Sequence, residues 1–384
     1  MCVRARVLSF TDCASFAVMR ELKVTTVITT DSVLGSVDSL AIAHAPRSGI
    51  RSLGGSMRLS SLMALAVVLA LATPRAQAVT TGGGESELKV VLLGTMGGPT
   101  FSGERLGIST LVIAGDQMLL FDAGRSLTTG LARLNINPAG VTRVFLTHLH
   151  SDHIVSLPEL LLFPWASQGR TAPLQVWGPT GTRAMMERLQ EAFAFDIHVR
   201  RDVDERFSPE GVRVLATDIR EGVVYESNGV KVTAFLVDHA PIEPAFGFRV
   251  EYRGRSVALS GDTKPSDNLV KAAQGVDLLV HEVGSWKQDP NLTGAPDDRF
   301  PGSTQTRRQV QTIRNHHTDG AEAGSIFERV KPRLAVFSHY NVDPAATLRL
   351  VRQTYAGPVE FGEDLMAIDI GNTIAVRRFT LPPK

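Results

Sequence analysis

From residue 88 onward, apolar and polar positions follow two periods in turn. Short apolar runs bounded by glycine-rich turns predict strands at Leu88–Leu93, Ser109–Ile113 and Met118–Phe121. Leu127, Leu131 and Leu134 then recur at helical spacing, and a further apolar strand is expected over Val141–Leu146. Helices are predicted near Leu157–Phe163 and Thr182–Phe193, with a strand at Leu174–Trp177 between them. A strand-rich middle covers Val212–Ala216, Val230–Val237, Phe246–Tyr252 and Ser256–Leu259. Alternation resumes with helices at 268–274, 319–330 and 344–355 around strands Asp277–Val280 and Leu334–Phe337.

Strand-rich, helix-flanked segments in both halves define an α/β chain in which sheets pack face to face with helices outside. Two stretches look like excursions from that scaffold. Residues 196–229 carry mixed charge. Residues 285–316 have weak periodicity, and Trp286, Phe300, Arg307, Arg308 and Arg314 there could form a lid or a plain surface loop.

The amino end changes the picture. From Met57 the chain reads as a signal peptide: Arg58, an apolar core Leu62–Ala72, then Ala76-Gln77-Ala78 as a cleavage site. That core is too short for a bilayer span, which needs about 20 residues. Residues 1–56 show no sustained period, so the reading frame is expected to start at Met57, or else 1–56 form a disordered tail. Removing 78 residues leaves 306, residues 79–384, with 32 basic and 35 acidic side chains, expected to form one domain. Both cysteines, Cys2 and Cys13, go with the leader, so disulfides and thiolate metal sites are excluded beyond it. A periplasmic or secreted protein without a membrane span in its mature chain is expected. A homodimer is left open.

The chemistry is concentrated at the end of the fourth predicted strand. Val144-Phe145-Leu146 runs into Thr147-His148-Leu149-His150-Ser151-Asp152-His153. Residues i and i+2 of an extended segment share a face, so His148 and His150 can hold one ion together. Asp152 and His153 turn toward a second. Imidazole with carboxylate suits zinc, with manganese or iron as alternatives.

FLTHLHSDH resembles the H-x-H-x-D-H signature of the metallo-β-lactamase fold, a four-layer αββα sandwich. The similarity runs over most of residues 88–378. Leu92-Leu93-Gly94-Thr95 and Phe121-Asp122-Ala123-Gly124 resemble the early strand-turns, and Asp122 would support a ligating histidine from behind. His239 after Val232–Val237, Asp262 in Ser260-Gly261-Asp262-Thr263 and His339 after Leu334–Phe337 match the remaining ligands in family order. Taken singly, each of these three could be an ordinary polar residue at a strand end or turn. The resemblance implies two Zn2+ ions: His148, His150 and His239 on one, Asp152, His153 and His339 on the other, with Asp262 shared. Ions roughly 3.5–4 Å apart would share a hydroxide of pKa about 7 as nucleophile. Asp152 would orient that hydroxide or take its proton.

Phe246-Gly247-Phe248-Arg249, Val280-His281-Glu282 and His317-Thr318 are similar to strand and helix-opening motifs of tRNase Z and its arylsulfatase-like relatives. That resemblance makes His317 the general acid for the leaving oxygen and Glu282 its partner, with His316 as rival. True tRNase Z enzymes carry a long tRNA-gripping arm before the bridging aspartate, whereas Arg249 to Gly261 allow only a hairpin. With net charge −3 after the leader, a small-molecule ester is expected as substrate, and nucleic acid is not. The expected activity is cleavage of phosphodiesters or sulfate esters. β-Lactam or lactone opening on the same site, a non-catalytic metal-binding role and an oxygen-using diiron centre stand as alternatives.

Overall fold

The computed structural model describes residues 88–99, 102–284 and 315–379. The expected leader, the segment ahead of it and the candidate lid up to Arg314 lie outside those residues. Among the described residues no helix is long and apolar enough to cross a membrane.

The chain begins with β1 (Leu88–Gly94), β2 (Ser109–Ala114), β3 (Gln117–Phe121), α1 (Leu127–Arg133) and β4 (Arg143–Phe145). Then follow α2 (Ser151–Ile154), α3 (Leu157–Gln168), β5 (Leu174–Gly178), α4 (Thr182–Ala192), α5 (Ala194–His198) and α6 (Pro209–Val212). The middle holds β6 (Val214–Asp218), β7 (Gly222–Ser227), β8 (Val230–Val237), β9 (Ala245–Tyr252), β10 (Arg255–Leu259) and α7 (Asp267–Ala272). β11 (Leu278–Val283), α8 (Gly320–Val330), β12 (Leu334–Tyr340), α9 (Pro344–Val351), β13 (Val359–Phe361), β14 (Met366–Ile370) and β15 (Ile374–Arg377) complete the order.

Two sheets result, in the orders β15-β14-β1-β2-β3-β4-β5-β6 and β13-β12-β11-β10-β9-β8-β7. Strand periodicity explains why they stack. Leu88, Val90 and Leu92 of β1 point into the layer between the sheets, while Val91 and Leu93 point at α1 and α3. In β12, Leu334 and Val336 face the same central layer, and Ala335 and Phe337 face α8 and α9. Both faces of these strands are apolar because each is covered, as in other sheets flanked by helices. Three apolar layers separate four layers of structure, the expected αββα sandwich. In the central layer Phe145 stacks between Phe121 (5.0 Å) and Trp177 (4.9 Å). Truncating such a fully buried ring costs about 3–5 kcal/mol.

Residues 196–229 correct the expectation of an excursion. They supply β6 and β7, the edge strands of the two sheets. Edge strands are half exposed, so Asp218, Glu226 and Ser227 sit on them and blur the apolar alternation. The strand expected from Val212 begins at Val214, because Pro209–Val212 form a helical turn. β4 is likewise shorter than Val141–Leu146, since Pro138–Gly140 form a 3-10 turn just before it. β13 to β15 had no separate expectation; they are short, and β15 carries exposed positions.

Pro164 lies inside α3 and has no N–H for the Leu160 carbonyl four residues back. Arg170 fills that gap from the loop beyond. Its guanidinium is buried and donates to the carbonyls of Leu160 (2.7 Å), Leu161 (2.5 Å) and Gly211 (3.0 Å), joining α3 to α6. α3 packs directly behind the segment that carries the histidine cluster.

β8, β10, β11 and β12 run in one direction, with β9 reversed between them. Their carboxyl ends therefore open on the same rim, the usual place for a site in such sheets. Phe246 N–H of β9 donates to the Thr147 carbonyl (2.9 Å), tying the end of β4 to the opposite sheet at that rim.

Candidate metal centre

The seven expected ligands converge. His148, His150, His239 and Asp262 have donor atoms within 4.8 Å of one another, and so do Asp152, His153 and His339. His148 and His150 leave β4 in extended backbone, and their Nε2 and Nδ1 lie 2.9 Å apart. His150 is also the N-cap of α2, so the chain turns there and swings Asp152 and His153 to the other side. His239 follows β8, with Nε2 3.4 Å from His150 Nδ1. Asp262 follows β10 and lies between the two groups. Its Oδ2 is 3.8 Å from His148 Nε2 and 3.4 Å from His153 Nε2, and its Oδ1 is 3.3 Å from His339 Nδ1.

Supporting contacts orient the rings. Asp122 Oδ2 lies 2.8 Å from His153 Nδ1, leaving Nε2 to face the centre. Thr147 donates to the same carboxylate through its N–H (2.9 Å) and its hydroxyl (2.9 Å). His239 Nδ1 lies 3.0 Å from the His316 carbonyl, which likewise turns Nε2 inward. Asp122 (φ 60°) and His339 (φ 48°) both hold left-handed backbone, at a cost of order 1–3 kcal/mol for a non-glycine residue. Non-glycine strain of this kind collects where surrounding structure enforces a site.

The donor set fits metal ions on three grounds. His153 Nε2 and Asp262 Oδ1 are fully buried and have no hydrogen-bond partner, a costly state for polar atoms. Burial holds His148, His150 and His239 below the ordinary histidine range, so their nitrogens are available as neutral ligands. Burial opposes charge on Asp262 and Asp152, but the neighbouring His153 and His339 override it and keep both carboxyls below the usual range. Around His153, burial lowers the pKa, yet Asp262, Asp122 and Asp152 push the imidazole well above its ordinary range. The pocket calls for positive charge.

The expected acid pair is also assembled. His317 Nδ1 stands 3.2 Å from Glu282 Oε2, and Glu282 is almost wholly buried. Glu282 Oε1 accepts from the N–H groups of Thr318 (2.9 Å) and Thr263 (3.2 Å), so its direction is set. Burial would depress His317, but the Glu282 carboxylate outweighs it, and the pKa is pushed up to about 9. Between the rivals, it is His317 that Glu282 meets. His316 contributes its carbonyl to His239, while burial lowers its own imidazole. His317 is placed by the start of α8, where Asp319 and Glu322 form a reciprocal capping box.

A cleft of about 400 Å³, partly open to solvent, lies over these groups. Gly97, Pro99, Ile242, Val283, His316 and Asn341 are among its other lining residues. The lip at Gly97–Pro99 and the threonines Thr263 and Thr318 were not singled out from sequence. The one available signal was that each threonine directly follows a candidate site residue.

A family model described as the beta-lactamase superfamily domain matches residues 117–340. The chain belongs to this superfamily, in its metal-dependent hydrolase branch. Ribonuclease Z of Mycobacterium bovis is 34% identical over 291 residues, covering 74% of this chain and 98% of that protein. Ribonuclease Z of Mycobacterium marinum is 34% identical over 292 residues, covering 99% of that protein. Among solved structures, the metallo-beta-lactamase fold protein YhfI of Bacillus subtilis shares the fold (TM-score 0.56, 16% identity, 73% of this chain and 98% of that one). So does the short form of human tRNase Z (TM-score 0.51, 24% identity, 73% and 98%). The name of the mycobacterial relatives runs against the expectation that nucleic acid is not the natural substrate. That expectation rested on the short join before Asp262, the leader and net charge, and net charge describes a whole surface and not the local face that meets a ligand.

Proposed function

We propose that the protein is a dinuclear zinc phosphodiesterase, with RNA phosphodiesters within its range. His148, His150 and His239 would hold one ion, and Asp152, His153 and His339 the other, with Asp262 between them; manganese or iron could replace zinc. The observation that carries this reading is the buried Glu282–His317 pair beside the ligand cluster. When bound, such ions supply Lewis-acid polarisation of the ester and a water acidified to about neutrality. Asp152, kept ionised by His153 and His339, would orient that water or take up its proton. His317, protonated below about pH 9, would give a proton to the departing oxygen. Glu282 keeps the imidazole charged and aimed, and the cleft lets it recover a proton from solvent.

A second reading, small phosphodiesters or sulfate esters outside nucleic acid, is favoured by the short join between β9 and β10. Only Arg253 and Gly254 connect those strands, so no arm for gripping a folded RNA arises there. Export to the periplasm or medium remains part of the proposal. Amino-terminal sequencing of protein expressed from Met57 should find Val79 first, and an intact leader on active protein would refute export.

The deciding experiment is a substrate panel with zinc-loaded protein: bis(4-nitrophenyl) phosphate, 4-nitrophenyl sulfate, a chromogenic β-lactam, an aryl lactone and a 3′-extended RNA. Phosphodiesters should turn over fastest, and chelation should stop the reaction. A preference for lactone or β-lactam would overturn the assignment.

A further inference from the structure

Of the candidate ligands among the described residues, only His339 sits in left-handed backbone. The groups that hold it there come from the connection between β1 and β2, of which the sequence motifs reach only as far as Thr95. Tyr340 N–H donates to the Thr95 carbonyl (3.0 Å), and Gly97 N–H donates to the Tyr340 carbonyl (3.3 Å). A Cβ on Gly97 would stand 3.0 Å from the His339 backbone, so the approach there is tight.

Arg105 closes this arrangement. Its Nη1 donates to the Tyr340 carbonyl (3.0 Å) and its Nη2 to Thr95 Oγ1 (2.8 Å). Its guanidinium carbon lies 4.3 Å from the centroid of the Tyr340 ring. Thr95 is in turn pinned by Asp364, which accepts from its N–H and its hydroxyl (2.8 Å each) and from Leu106 N–H (2.5 Å). The planar fork thus meets the residue next to His339 at its carbonyl and its ring while its other arm is anchored on Thr95, a geometry that lysine cannot reproduce. His148 and His239 are supported elsewhere, by Thr147 and by the His316 carbonyl.

We infer that Arg105 is a positioning residue for His339, acting through Tyr340, and that it governs binding at the Asp152–His153–His339 pocket selectively. The inference rests on the metal assignment above but not on the phosphodiester reading, because its readout is metal affinity. Supporting groups behind a ligand are worth about 10–100-fold in metal affinity.

The test is competition between the metal-free protein and a chromophoric chelator for zinc. His239→Ala, which disables the other pocket, identifies which binding constant belongs to which ion. Arg105→Met should weaken the His339-side ion at least tenfold and leave the other unchanged, with kcat falling more than KM rises. Arg105→Lys, which keeps the cation over the ring but not the fork, should fall between. Equal weakening of both ions, or a lower Tm with both constants intact, would overturn the inference and leave Arg105 a structural residue. Should Arg105→Met fail to fold, Thr95→Val removes the acceptor of Nη2 and should weaken the same ion several-fold. A wild-type protein that binds fewer than two ions would fault the metal assignment itself, separately from Arg105.

Discussion

The two pockets of the candidate metal centre are built differently. His148, His150 and His239 form a group of three imidazoles that burial keeps neutral, with no carboxylate except the shared Asp262. Asp152, His153 and His339 form a group steeped in negative charge, with Asp122 directly behind His153. The proposed acid His317 stands between the two groups, its ring 5.3 Å from that of His239 and 5.7 Å from that of His339. One pocket is prepared by desolvation and the other by charge. The difference suggests a division of labour, with an ion on the first held by neutral nitrogen and an ion on the second held where carboxylates are densest.

The most severe way to break this comparison is to remove what both pockets share. Asp262→Ala should abolish turnover and lower metal content toward a single ion or none, measured by elemental analysis of dialysed protein. Retention of two tightly held ions with full activity would dissolve the shared role. Next in size is His317→Ala, which should slow alkyl phosphodiesters by about 10²–10⁴-fold. It should spare 4-nitrophenyl esters, whose leaving group needs no proton. Metal content should stay constant, and equal losses on both substrates would make His317 a substrate-positioning group.

Asp122→Asn sharpens the contrast between pockets. Its carboxylate is bonded to His153 and reaches His148 only through Thr147. Affinity at the His153 side should fall about 10–100-fold, and less at the other, by calorimetric zinc titration. The smallest effect expected is a shift in pH profile. A general acid works while protonated, so kcat/KM on a poor leaving group should persist through neutrality and fall as pH rises through about 9. In Glu282→Gln the favourable charge is gone while burial remains, so the fall should move toward neutrality. An unmoved alkaline limb would assign it to another group.

Legibility differed by region in the same way. The run Thr147–His153 could be read directly, because extended backbone before a helix start places i and i+2 together and sends the next residues away. His239, Asp262 and His339 looked like ordinary strand-end residues one at a time, and only family order joined them. Between the adjacent, identical side chains of His316 and His317, local chemistry gave no preference and only the resemblance chose His317. In the structure the choice depends on Glu282, at the end of β11, with its direction set by Thr263 and Thr318. Arg105 was invisible for a similar reason: its partners are Thr95 and Tyr340, and nothing in local spacing links residue 105 to residue 340.

Local pattern alone therefore determined the strand and helix succession, the presence of two stacked sheets, and a cluster of nitrogen and carboxylate donors after β4. These follow from side-chain period and donor chemistry, which act within a few residues. Tertiary structure decided that residues 196–229 complete both sheet edges, that Glu282 charges His317 and not His316, and that His339 is held in strained backbone from β1–β2. Each of those depends on which strand ends meet at one rim, and that is set by burial of both faces of both sheets across the whole chain.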